Sequence, residues 1–426
     1  MAKMKLDDFD VMFGNSEVIK PAEKDDKVDT WYDVGNYALN YIMSRKFTGG
    51  IAAGRITGLE GLSSTGKSLL AVSVIKDPQI EMCVVIDTEG GGNSQELMEF
   101  AGVDLNKVRI LKAHTLTSYR RSKKNSKIEE VADKDMPAKL ETGDYLYEEG
   151  VIFIMKKLLN AFAYTPKLKD KKILIILDSI ANLQSVRELN GGYDMGKKAQ
   201  EIGAFFRTFD NMLEKTNIAF VYTNKLYTNF SNPYDPWVAV GGENVYYNSS
   251  MIMRLSGTAE SHDITPNDLK DDKAMKNTSL GTTYQTLKGF VRKSRFGTHR
   301  RTAQFMIDSQ FGVTRYSGMF KLLKDFGIIQ GSTWYTLTAL WGDKKFHKKD
   351  FLELFRSDEE ENVKKLQIIL DETEKKLKEE RAKYVESGAV DVDESLDFQT
   401  DEDSLETLLE TSEEDLVNDV IRDVEK

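Results

Sequence analysis

The segment Gly61-Leu62-Ser63-Ser64-Thr65-Gly66-Lys67-Ser68 sets two glycines, a lysine and a hydroxyl at the spacing G-x-x-x-x-G-K-[ST]. Glycines let backbone N–H groups turn inward around phosphate oxygens. A helix starting at the end of such a loop adds the partial positive charge of its N-terminus. Lys67 is placed to neutralise β- and γ-phosphates, and the Ser68 hydroxyl to ligate Mg²⁺. The expected chemistry is binding of a nucleoside triphosphate with magnesium. Gly61, Ser63, Ser64, Thr65, Gly66, Lys67, Ser68 and Leu69 are the candidate contacts. The plainer alternative is a Gly/Ser turn that happens to precede a helix. Context argues against it, because an apolar strand ending at Ile56-Thr57 comes before the loop and a helical run, Leu69 to Ile75, follows.

Two acids extend the site. Asp178 ends the apolar run Ile173 to Leu177, where a carboxylate can hold magnesium through water. Glu89 follows Val84-Val85-Ile86, where a carboxylate can orient and deprotonate an attacking water. An acid at a strand end can instead be a helix cap or a turn former. By the same placement Thr223-Asn224, after Ile218 to Tyr222, can sense a γ-phosphate.

The elements that must position these groups follow from the hydrophobic pattern. Cys83 to Ile86, Ile173 to Leu177 and Ile218 to Tyr222 are short, continuous and rich in branched or aromatic residues, as suits strands buried on both faces. Amphipathic stretches of helical length, Tyr147 to Tyr164 and Met195 to Lys215, lie between them. Such alternation implies an α/β core with a mostly parallel central sheet. Arg120 to Asp144, with Lys and Arg first and Glu and Asp later, and Ser256 to Ser279 are polar and read as loops or surface excursions. Ser317 to Gly327 reads as an amphipathic helix, Ser332 to Leu340 as a short hairpin and Lys349 to Tyr384 as a charged helix. Four units are expected: an N-terminal segment over 1–30, the nucleotide-binding core over 31–310, a small C-terminal α/β unit with the charged helix over 311–384, and an acidic tail over 385–426.

Composition bounds the function classes. No apolar run approaches the ~20 residues of a membrane span, and Met1 to Asp10 has no signal core, so a cytoplasmic chain is expected. Cys83 is the single cysteine and there are four histidines, which disfavours a structural zinc site. The net charge of -10 divides unevenly. The tail holds sixteen acids against Arg422 and Lys426, a local charge of -14, so the rest of the chain is +4. Such blocks stay solvated and serve as solubilising or interaction segments.

With these motifs in order, the chain resembles the RecA/RadA family of strand-exchange recombinases, and most nearly its branch in T-even-like bacteriophages. The resemblance spans about Tyr37 to Tyr335. It rests on Thr48 to Gly54 before the phosphate loop, Val85 to Glu89, and Leu177-Asp178-Ser179-Ile180-Ala181-Asn182-Leu183. Val291 to Arg295, Tyr316-Ser317-Gly318 and Trp334-Tyr335 resemble the phage branch in particular.

The resemblance implies a RecA-type P-loop core that hydrolyses ATP with Mg²⁺, forms helical filaments on single-stranded DNA and pairs it with homologous duplex. It places one DNA-binding loop near Ser185 to Met195, with Arg187, Lys197 and Lys198, and a second over Lys225 to Glu243. The second carries Lys225, Tyr227, Phe230, Tyr234, Trp237, Gly241 and Gly242. Aromatic faces stack on bases of any sequence and lysines attract phosphates; such rings can instead pack on the domain surface. Lys293 and Arg295 match cations that reach a neighbouring subunit's γ-phosphate, in the manner of an arginine finger. Read plainly, Arg292 to Arg301 is a basic exposed hairpin. Lys225 stands where the bacterial branch has glutamine, and Glu243 and Tyr246-Tyr247 where a basic residue is common. Leu97 stands where an aromatic often stacks on adenine, so the base preference rests on resemblance. Phe9 to Phe13 is a candidate arm that packs on a neighbouring copy, and equally a frayed terminus. A recombination mediator or a single-strand-binding protein is a possible partner of the tail. The competing functions are a hexameric DNA helicase of related core fold and a filament or loader that binds ATP with negligible turnover.

Overall fold

Branched apolar residues in unbroken runs cannot present one face to water, so they become the interior strands of a sheet covered on both sides. The computed structural model describes residues 28–386, apart from 91–94, 136–142, 166, 169, 193–194, 215, 229–236, 258–283, 309–311 and 356–358. The expected arm over Phe9 to Phe13 and the acidic tail lie outside the described residues, as does Ser256 to Ser279 beyond Gly257.

In chain order the first half comprises β1 (Trp31–Tyr32), α1 (Tyr37–Ser44), β2 (Ile51–Ala52), β3 (Ile56–Gly61), α2 (Lys67–Ser73), β4 (Met82–Asp87), α3 (Gln95–Phe100) and β5 (Val108–Lys112). Then come β6 (Tyr119–Ser122), β7 (Ile128–Glu130), β8 (Tyr145–Glu148), α4 (Val151–Tyr164), β9 (Ile173–Asp178), α5 (Val186–Leu189) and α6 (Met195–Leu213). The second half comprises β10 (Ile218–Thr228), β11 (Trp237–Ala239), α7 (Gly242–Asn248), β12 (Met251–Gly257), β13 (Tyr284–Ser294), β14 (Thr302–Asp308) and β15 (Gly312–Val313). It ends with α8 (Met319–Asp325), β16 (Gln330–Gly331), β17 (Tyr335–Thr336), α9 (Thr338–Trp341), β18 (Lys345–Phe346) and α10 (Glu359–Glu386).

The fold is α/β with a large, mostly parallel central sheet. Its strand order is β15-β14-β13-β12-β3-β10-β9-β4-β5, with β11 paired to β10. Every pairing from β12 to β5 is parallel, and β13 to β15 extend the sheet antiparallel. The three apolar runs are its central strands β4, β9 and β10, and alternate residues feed two separate cores. Leu174, Ile176, Ala219 and Val221 face α1, α2 and α8. Ile173, Ile175, Leu177, Phe220 and Tyr222 face α4 and α6, where Phe205, Phe206 and Phe209 are buried.

Three local expectations change. Arg120 to Asp144 is not a simple excursion, because β6, β7 and β8 form a separate antiparallel sheet in the order β7-β6-β8. Only Tyr119 and Ile128 on it are buried apolar residues, too few to show a strand period among charges. Tyr147 and Glu148 belong to β8, so the following helix begins only at Val151. Gly150 caps it where a Cβ would lie 2.3 Å from the Thr117 carbonyl carbon. The charged helix is also later than its pattern implied: Lys348–Phe355 is a 3-10 turn and α10 starts at Glu359.

The C-terminal elements share the first core. Tyr335, Leu337, Phe346, Phe351, Leu366 and Ile369 join the cluster that holds Tyr41 and Leu59. Arg45 pairs with Glu374, and Lys376 donates to the Gly327 carbonyl, which pins α10 against α1 and α8. Among the described residues no helix is long and apolar enough to cross a membrane.

Candidate anion and metal site at the carboxyl ends of the strands

The path from β3 to β4 crosses over β10 and β9, so the carboxyl ends of β3, β10, β9 and β4 open onto one crevice, where open α/β sheets bind ligands. The Gly61–Ser68 loop forms one wall. Ser64 (φ 61°) and Gly66 (φ 75°) are both left-handed, which folds the backbone between them around a small concavity. Gly61 is needed sterically, since a Cβ there would meet Thr65 Oγ1 at 2.5 Å and the Leu255 carbonyl oxygen at 2.7 Å. Gly66 is needed twice over, because of its φ and because its Cβ would lie 2.6 Å from Ile307 Cδ1. Leu62, Ser63 and Ser64 are exposed, while Thr65 and Leu69 are buried. Thr65 Oγ1 donates to the Leu62 carbonyl at 3.0 Å, and Lys67 Nζ donates to the same oxygen.

Lys67 is 9% exposed. Burial depresses its pKa, Asp178 and Glu89 act to raise it, and Lys225 adds to the depression. A buried ammonium facing two carboxylates is a point charge poised for an anion.

Glu89 stands on a tight turn after β4, where Asp87 Oδ1 accepts from the backbone N–H groups of Glu89 (3.0 Å) and Gly90 (3.1 Å). Its Oε1 accepts from Ser179 Oγ at 2.9 Å and pairs with Lys225 Nζ at 3.0 Å. Burial alone would raise its pKa, but the hydrogen bonds from Lys225 and Ser179, with the charges of Lys225 and Lys67, leave it below the usual carboxylate value. Glu89 is therefore held as an anion. Thr88 ties this turn to β9, its N–H bonding the Asp178 carbonyl (2.8 Å) and its Oγ1 exchanging bonds with the Ser179 backbone.

Asp178 is 1% exposed and accepts from Thr223 Oγ1. With Ser68 at the start of α2, it offers the hard oxygen donors that suit Mg²⁺, which takes one or two carboxylates and fills the rest of its shell with water and phosphate. Among the described residues no cluster of three or more His, Cys, Asp or Glu could hold a metal unaided. Asn224 is fully buried; its Nδ2 donates to the Val240 carbonyl at 2.8 Å, and its Oδ1 has no partner. That orphaned acceptor lies within β10, which does not end at Tyr222 as expected but runs on to Thr228, so Asn224 is level with Glu60 of β3.

Glu60 and Arg254, which the sequence reading did not single out, support the floor. Glu60, next to Gly61, is buried and faces Arg254 Nη2 (3.7 Å) and Arg292 Nη1 (3.3 Å). The Tyr222 hydroxyl, hydrogen-bonded to Ser249 Oγ at 2.9 Å, lies beneath Gly58. Nothing in residue order points to this triad, because its members come from β3, β12 and β13.

Lys293 and Arg295 are not brought to this loop within the chain. Lys293 is level with Gly58 across β12, three residues, or about 10 Å, from Gly61 along the strands. Its Nζ donates to the carbonyls of Tyr246 (2.5 Å) and Tyr247 (2.8 Å) at the end of α7 and lies 4.9 Å from the Tyr246 ring centre. Burial and the neighbouring Arg295 push its pKa down to about 8. Arg295 donates to the Tyr247 carbonyl at 2.9 Å and lies 3.6 Å from Asp210.

The expected DNA-contact residues divide. Ser185 to Gly192 is not a bare loop: it carries α5, closed by a capping box between Ser185 and Glu188. Arg187 lies on α5, and Lys197 on α6 is described only by its backbone. Lys198 on α6 is half-buried. It faces Glu188 Oε1 and the Ala181 carbonyl, each at 3.4 Å. It lines an open cleft of about 650 Å³ with Thr88, His114, Asn182 and Gln184, beside the Glu89 turn. In the second segment β10 runs on to Thr228 and pairs with β11, so Lys225, Tyr227 and Trp237 lie on a hairpin rising from the crevice. Tyr227 is exposed and Trp237 half-buried. Gly241 (φ 93°) and Gly242 (φ 67°) turn the chain into α7. Phe230 and Tyr234 lie outside the described residues.

No family model and no curated protein matches the chain.

Proposed function

We propose that this chain is a DNA-dependent ATPase of the recombinase kind: it assembles as a helical filament on single-stranded DNA and catalyses homologous pairing and strand exchange, in the cytoplasm. The observation that carries the reading is the pairing of Glu89 with Lys225. It ties the acid best placed for water attack to the strand that rises into the second DNA-binding segment. The sequence motifs of the recombinase family supply the rest.

In this reading the backbone from Gly61 to Leu69 cradles the phosphates, and Lys67 neutralises them. Ser68 and Asp178 would hold Mg²⁺, which would supply neutralisation of phosphate charge when bound. Glu89, kept ionised, orients the attacking water and accepts its proton. Lys225 competes for Glu89 and follows the position of the DNA hairpin, so DNA binding bears directly on the acid. Asn224, with its unpartnered carbonyl, positions the γ-phosphate end through a water or a neighbouring donor. Lys293 and Arg295 serve the site of the next copy in the filament.

Measuring ATP turnover with and without single-stranded DNA tests this. The parent should be stimulated by DNA, and Glu89→Gln should lose at least about 100-fold in turnover while keeping nucleotide-dependent binding to single strands. A parent without ATP hydrolysis, or a Glu89→Gln protein with parental turnover, would overturn the reading.

A further inference from the structure

The small sheet β6–β7–β8 takes no part in the chemistry above, yet it is seated against the first DNA-binding segment. Tyr119 and Ile128 on its inner side pack on Val186 and Leu189 of α5, and Asn190 Nδ2 donates to the Ile128 carbonyl at 2.9 Å. Gly150 N–H bonds Ser118 Oγ at 3.0 Å and fastens its other end.

The turn joining β6 to β7 points three lysines, Lys123, Lys124 and Lys127, into solvent within five exposed residues. It is closed by its own hydrogen bonds: Ser122 N–H to the Lys127 carbonyl (2.9 Å), Ser126 N–H to the Ser122 carbonyl (2.9 Å) and Lys127 N–H to Asn125 Oδ1 (3.1 Å). The lysines are thus presented on a defined backbone. Lys127 and Arg120 are paired with Glu129. Lys123 and Lys124 have no carboxylate within salt-bridge reach among the described residues.

On the outer face the Arg120 guanidinium covers the Tyr145 ring at 4.9 Å from its centre. Tyr145 and Tyr147 there are half-buried, and Arg120 already occupies the Tyr145 ring, so this surface offers cations rather than an open stacking platform. Single strands are held chiefly by stacking plus charge; duplex DNA presents phosphates at the higher density of one charge per ~1.7 Å of axis.

We propose that the Lys123–Lys127 turn holds the sugar–phosphate backbone of duplex DNA alongside the α5 segment. The inference rests on the recombinase reading and adds to it a contact for the incoming duplex.

The test is a salt series of fluorescence anisotropy with a labelled duplex and its matching single strand, using the full chain and Lys123→Ala/Lys124→Ala. The double variant should weaken duplex binding about tenfold at low salt. It should also flatten the dependence of log K on log salt by up to about 1.8, or about 0.9 for each lost contact. Single-strand binding and ATP turnover should stay at the parental level, and Lys123→Arg/Lys124→Arg should retain the duplex slope. An unchanged duplex slope, or equal losses on duplex and single strand, overturns the inference and leaves the main reading standing. So does unchanged DNA binding with lost self-association, which would assign the turn to contact between copies. A parent that binds neither DNA overturns both.

Discussion

Lys293 carries a charge whose presence depends on pH near neutrality, and this decides how its role can be checked. Its pKa falls from 10.5 to about 8 in the folded chain. Between those values the folded state has released a proton that the unfolded state keeps. This group's contribution therefore makes stability rise with pH across that window, and the cation is present only below about 8. If the ammonium acts on a neighbour's phosphates, DNA-stimulated turnover falls as pH rises through about 8. Lys293→Arg, whose guanidinium stays charged, should hold turnover to higher pH. Parallel pH profiles for parent and variant would remove Lys293 from that role. Lys293 and Arg295 grip the last carbonyls of α7, which follows the Gly241-Gly242 turn, so within the chain they brace the end of the β10–β11 hairpin segment.

At the scale of elements, the parallel strands depend on a charge that no single strand explains. Glu60 on β3 lies between Arg254 on β12 and Arg292 on β13, directly beneath the phosphate-binding wall. Glu60 is the buried carboxylate that faces both arginines, and breaking a buried ionic group by removing one member is strongly destabilising. Glu60→Gln should therefore cost about 3 kcal/mol of stability, read as a lower urea midpoint at unchanged slope. A midpoint within error of the parent would mean that the two arginines are satisfied elsewhere. Strands β4, β9 and the first half of β10 were legible because each carries an unbroken apolar run. The inserted sheet was not, since only Tyr119 and Ile128 of its residues turn inward and its lysines and acids hide the alternation.

At the scale of the whole molecule, Lys293 sits about 10 Å along the strands from its own loop, so on the proposed reading the site would be completed by another copy. A heterologous contact that repeats without closing would bring Lys293 and Arg295 to the next copy. Negative-stain imaging with single-stranded DNA and a non-hydrolysable ATP analogue should show helical filaments. Six-fold rings would favour the helicase, and dispersed monomers would remove Lys293 and Arg295 from any shared site. The C-terminal elements should move with the core, because Phe351, Leu366 and Ile369 are buried in the same cluster as Tyr41.

Residue order alone determined the α/β class, the Gly61–Ser68 loop, and the acids Glu89 and Asp178 as strand-end groups. Those features are local: a hydrophobic run, a glycine spacing and a carboxylate at a run's end are each written within a few residues. The tertiary structure alone decided that Lys225 pairs with Glu89, that Lys198 faces Glu188, and that Lys293 and Arg295 are held on α7. It also decided that a charged insertion folds as a sheet against α5. Each of these joins residues far apart in the chain, and the direction of a long charged side chain follows from which partner the fold brings within about 3 Å, not from its place in the sequence.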